Sequence, residues 1–77
     1  MITVNFFIEP VCCYSDEHDE FVIFGYLGTI AYKDKSICAE RKQEKDLPDH
    51  FKQLLREQYN LLPENITFRF VESPEDL

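Results

Sequence analysis

The sequence predicts a small α+β domain, in which a mixed or antiparallel sheet of three to five strands packs on one α-helix. Three features carry that expectation. Residues 2 to 9 alternate apolar and polar, Phe21 to Leu27 is a continuous apolar run, and a single amphipathic stretch follows Asp46. The first is the period of a half-buried strand and the third is the period of a helix.

In the first segment Ile2, Val4, Phe6 and Ile8 share one face and Thr3, Asn5 and Glu9 the other, with Phe7 breaking the pattern. Pro10 should end or edge this strand, because proline lacks the N–H that a central ladder position donates. Ser15 to Glu20 reads as a solvated loop. The next strand, Phe21 to Leu27, is apolar on both faces, with Phe21, Ile23 and Leu27 on one and Val22, Phe24 and Tyr26 on the other. Gly28 permits a turn or bulge, and Thr29 to Tyr32 and Ile37 to Glu40 flank a turn at Lys33 to Ser36.

Helix signals then cluster. Asp46 is a suitable N-cap, Pro48 fits the first turn, and Asp49 complements the positive end of the helix dipole. Leu47, Phe51, Leu54, Leu55, Tyr59 and Leu62 follow helical spacing, which places a helix over about 47 to 60. Asn60 suits the left-handed C-terminal position and Pro63 prevents continuation. The last strand spans Ile66 to Val71 with Ile66, Phe68 and Phe70 inward, leaving a domain over 1–72 and an acidic tail over 73–77. The order is β-β-β(β)-α-β, and this order resembles that of β-grasp and related small α+β folds, a likeness of topology alone.

Seventy-seven residues hold one domain, and a chain of this size buries only about 60% of its unfolded surface. Charge is unevenly spread. Residues 1 to 30 carry five acids (Glu9, Asp16, Glu17, Asp19, Glu20) and no Lys or Arg, whereas residues 31 to 60 carry seven of the eight bases. The net charge of −7 and its concentration near the first loop argue against direct binding to nucleic acid or an anionic membrane, since both need bases to neutralise phosphates. No apolar run approaches the roughly 20 residues of a membrane-spanning helix, and no secretory signal is recognisable, so the expected location is cytoplasmic. The match of Asn65-Ile66-Thr67 to a glycosylation sequon is then accidental.

Cys12, Cys13 and Cys38 make an odd count and read as reduced thiols, by default buried as core fillers. With His18, Asp16 and Asp19, the first two form the one cluster of metal-ligand residue types, but structural zinc sites need two spaced ligand pairs and no second pair exists. His18 and His50 are the available bases for a cysteine nucleophile, and His50 is expected at the rim of the helix's apolar face. With two glycines in the chain, neither a phosphate loop nor an oxyanion turn can be built in its usual form. No enzyme, cofactor or metal is expected. The acidic run also lacks the alternating ligands and central glycine of a calcium loop.

These exclusions leave a binding role. One helix covers one sheet face, so some of Phe7, Val22, Phe24 and Tyr26 are expected to stay uncovered as anchors, unless a loop or the tail folds over them. Asp16, Glu17, Asp19 and Glu20 would add electrostatic docking to a basic protein surface. The expected function is a small acidic protein-interaction module, an inhibitor or adaptor of phage or mobile-element type acting on a basic, nucleic-acid-binding host protein. The alternative is a homodimeric structural protein or a small subunit of a larger assembly.

Overall fold

The computed structural model describes residues 1–77. It has four strands, β1 (Ile2–Ser15), β2 (Glu20–Tyr32), β3 (Lys35–Arg41) and β4 (Ile66–Phe70), and one helix, α1 (Asp46–Tyr59). Short 3-10 turns, Pro63–Asn65 and Pro74–Asp76, precede β4 and close the chain. The sheet order is β3-β2-β1-β4. The first three strands form an antiparallel meander, and α1 carries the chain across the sheet so that β4 lies parallel to β1. The expected α+β architecture and element order are therefore observed, with Phe21 to Leu27 and Thr29 to Tyr32 fused into one strand.

The core lies between α1 and the near half of the sheet. Val4, Phe6, Ile30, Leu47, Phe51, Leu55 and Ile66 are buried, and the two glycines bring the total to nine buried residues of 77. So small a core implies modest stability. Phe6 is its centre, with the rings of Phe51 and Phe68 set edge-on at 5.1 and 5.0 Å, the arrangement favoured by aromatic quadrupoles. Gly28 is not a turn residue but sits mid-strand beneath the helix. A Cβ there would fall 2.8 Å from Phe51 Cε2 and 3.2 Å from Leu47 Cδ1, so the missing side chain sets how closely α1 approaches β2.

The helix ends follow local chemistry. Lys45, not Asp46, is the N-cap residue, and no side chain caps the helix. The Asp46 and Leu47 amides instead donate to the Gln43 and Glu44 carbonyls, so the preceding turn satisfies donors that an N-cap side chain would otherwise serve. Asn60 takes the left-handed conformation at φ 57° and its amide donates to Arg56 O, the expected C-terminal cap. The β2–β3 turn is only Lys33-Asp34, both residues having positive φ, the two-residue form whose twist matches the flanking strands.

Pro10 does not end β1, which continues to Ser15. Phe6 O accepts from the Val71 amide on the β4 side, and backbone groups repeat their direction every second residue, so Pro10 presents its missing N–H to that same side. β4 pairs with β1 only as far as Phe6, and the proline therefore occupies an open edge where no donor is needed.

Candidate functional site

Strand and helix lengths differ in a way that leaves part of the sheet bare. A 14-residue helix spans about 21 Å, whereas a 14-residue strand spans about 46 Å. Helix α1 covers β1 and β2 near Phe6 and Ile30, with Ile8 and Tyr26 at its margin. Beyond them β1 and β2 run on as a two-stranded arm to the tip at Asp16–Asp19, and the molecule measures 46 × 23 × 16 Å. Neither β3, whose pairing stops at Tyr26, nor β4 accompanies the arm.

A β-bulge fixes which side chains the arm shows. Val11 pairs with Gly25 but Cys12 pairs with Ile23, which leaves Phe24 without a partner. The extra residue shifts the alternation by one. Phe21 and Ile23 thus come into phase with Tyr26 on the helix side, and Val22 moves to the opposite side, so the expected grouping of Val22, Phe24 and Tyr26 on one face is not what forms. Phe21, Ile23, Phe24 and Tyr14 are 74%, 58%, 63% and 50% exposed. The edge-on contact of the Tyr14 and Phe21 rings, 5.4 Å between centroids, holds two of them together. Phe70 continues this surface past the helix N-terminus, where it lines a groove with Ile8, Lys45 and Pro48. It faces the helix side as expected, its ring 5.2 Å from that of Phe6, but is 62% exposed because β4 ends outside the helix's cover.

The remaining sequence-predicted residues lie on the arm, except Phe7, which pairs with Thr29 in the body of the sheet. Phe7 and Val22 are half-buried on the face away from α1, and Tyr26 is half-buried at the helix margin. Asp16, Glu17, Asp19 and Glu20 are exposed at the tip. There the Tyr14 hydroxyl donates to Asp19 Oδ1, and Asp19 adopts φ 51°. That hydrogen bond, with a smaller contribution from desolvation, raises the Tyr14 pKa above its usual 10.0. The tail folds back along the face opposite α1, where Asn5 Nδ2 donates to Asp76 O at 3.3 Å. It reaches only the end of the sheet near Asn5 and Ala31 and leaves the arm bare.

Cys12, Cys13 and Cys38 are free and exposed, contrary to the expectation of buried thiols. Cys12 and Cys13 lie on the arm, where no second layer exists to cover them, and Cys38 lies on the bare face with its Sγ 3.5 Å from Thr29 Oγ1. No three His, Cys, Asp or Glu side chains come together as a metal-binding group. His50 is half-buried on α1 at the rim, and its Nδ1 lies 2.9 Å from Arg41 Nη2. Because a guanidinium only donates, Nδ1 must accept and the ring is neutral. Burial, and then the Arg41 charge, lower the His50 pKa against a smaller opposing effect of Glu57. No helix is long and apolar enough to cross a membrane.

Comparison with protein-family models, with curated proteins and with solved structures found no match to this chain. Sequence reasoning missed Tyr14, Phe21 and Ile23 as surface residues. The available signal was length: an apolar hairpin much longer than the one helix able to cover it.

Proposed function

We propose that this protein is a small acidic interaction module, an inhibitor or adaptor, whose contact element is the β1–β2 arm. The observation that carries the reading is the uncovered row of Tyr14, Phe21, Ile23 and Phe24 next to a tip bearing Asp16, Glu17, Asp19 and Glu20. Aromatic anchors supply contact area at low entropic cost, and the acidic tip steers a protein partner with a basic surface. A nucleic-acid-binding host protein in the cytoplasm fits that description, because its own basic surface complements the tip. Tyr26 borders the anchors on the same face, whereas Phe7 and Val22 belong to the opposite face of the sheet. A homodimeric or small-subunit role has separate support in the outer edge of β2, which carries no strand from Glu20 to Gly25.

The test is affinity capture from a cell extract at low and high salt, using the unaltered chain, Phe21→Asp, and a tip variant with Asp16→Asn, Glu17→Gln, Asp19→Asn and Glu20→Gln. Phe21→Asp should abolish capture, and the tip variant should weaken it and flatten its salt dependence. Equal capture by all three chains, each shown to be folded by circular dichroism, would overturn the reading.

A further inference from the structure

The two long edges of the arm differ. On the β1 side, Pro10 removes a donor and Glu9 adds a charge at the base of the open edge, and only the short stretch Val11 to Tyr14 beyond them carries neither. On the β2 side, the segment Phe21-Val22-Ile23-Phe24-Gly25 has neither charge nor proline, and β3 stops one residue short of it at the Tyr26–Arg41 pair. Gly25 leaves room for the chain where β3 ends, since a Cβ there would meet Arg41 O at 3.1 Å. An unprotected apolar edge of this kind is a template for another strand. A two-stranded ribbon is at best marginally stable in water without one.

Resting on the reading of the arm as the contact element, we propose that the first occupant of this edge is a second copy of the chain, its β2 added antiparallel across a two-fold axis at Val22. Both symmetry and side-chain chemistry select that register. With Val22 opposite the second copy's Val22, Phe21 faces the second copy's Ile23 on the helix side, and the reciprocal pair forms by symmetry. Both are aromatic to β-branched cross-strand pairs. Pairing centred between two residues would place helix-side chains against chains of the opposite face. An added antiparallel strand lies collinear with β3, so its leading end, the acidic tip, arrives beside Arg41 and Lys42. In the segment from Glu40 to Lys45 the three bases outnumber Glu40 and Glu44, and Glu40 lies on the face away from α1. The contact is made twice. The paired arms become a four-stranded platform with Tyr14, Phe21 and Ile23 of both copies on one side, and that side stays open to a further partner.

Disulfide trapping with light scattering tests the arrangement. In a chain carrying Cys12→Ser, Cys13→Ser and Cys38→Ser, Val22→Cys sets two thiols at the two-fold, with Cα atoms about 4.5 to 5.5 Å apart and within bridging range. Glu20→Cys in the same chain sets them about 14 Å apart. Mild oxidation with oxidised glutathione should link the first variant into dimers and leave the second monomeric. The unaltered chain should rise from 9.2 kDa towards twice that mass across the micromolar range. Lys42→Glu should raise the dimer dissociation constant roughly 2- to 30-fold, from two exposed ion-pair contacts. A monomer at every concentration, or crosslinking at position 20 as fast as at position 22, overturns the pairing. A monomer that still captures a protein through Phe21 sinks the pairing alone, and a monomer that captures nothing sinks the interaction reading with it.

Discussion

The Arg41–His50 contact joins the end of β3 to the helix through a neutral imidazole. Its pH dependence has a definite sign. The folded-state pKa of His50 is below 6.5, whereas the unfolded chain titrates near 6.5. Above 6.5 the ring is neutral in both states and the contact contributes fully. As the pH falls through 6.5 the unfolded chain takes up the proton first, and stability declines until the folded ring titrates too. Denaturant unfolding from about pH 7.5 to about pH 5 should therefore show a loss on acidification that is smaller in His50→Gln. An identical loss in both chains would mean that the drop belongs to other groups. The cysteines illustrate what residue-level reasoning could not reach. Cys is commonly buried, but Cys12 and Cys13 fall on a part of the sheet that has no second layer, a property of the fold and not of the residue.

Contacts between elements turn on Gly28, where Phe51 and Leu47 of α1 pack directly onto β2. Gly28→Ala places a methyl group against Phe51 and Leu47, both fully buried and unable to yield without displacing the core. The expected cost is about 1–3 kcal/mol, read as a lower denaturation midpoint with an unchanged slope. An unchanged midpoint would show that the helix can shift outward freely. The elements themselves were largely legible. Leu47, Phe51 and Leu55 mark the helix by spacing, Asn60 and Pro63 mark its end, and Ile66 opens the last strand. What escaped depended on neighbours. Pro10 reads as a strand terminator until the absence of β4 beside it is known, and a bulge at Phe24 leaves no pattern distinct from an all-apolar strand. The site was legible in part for the same reason: the acidic tip is a local property, whereas the exposure of Phe21 and Ile23 depends on where the helix stops.

The molecule as a whole is a helix-covered body with an arm lacking such support, and the two parts should open at different free energies. Around Phe6 the ladder is flanked on both sides, by β3 and β4, and roofed by α1, so its amides open only with global unfolding. From Val11 to Phe24 the ladder has two strands and no roof. The Tyr14–Asp19 hydrogen bond and the Tyr14–Phe21 ring contact pin the far end, but both are exposed and add little against the entropy of ordering a hairpin. In dilute protein, amide exchange followed by NMR should show the arm amides exchanging well ahead of those of Val4, Phe6 and Ile30, with protection little changed by low denaturant. Raising the protein concentration should slow exchange on the outer edge of β2 and leave the Pro10 edge of β1 unaffected, because only the former gains a strand when copies pair. Arm amides as slow as the core in dilute protein would show that the two-stranded ribbon is stable on its own, which would remove the physical reason for the arm to seek a partner.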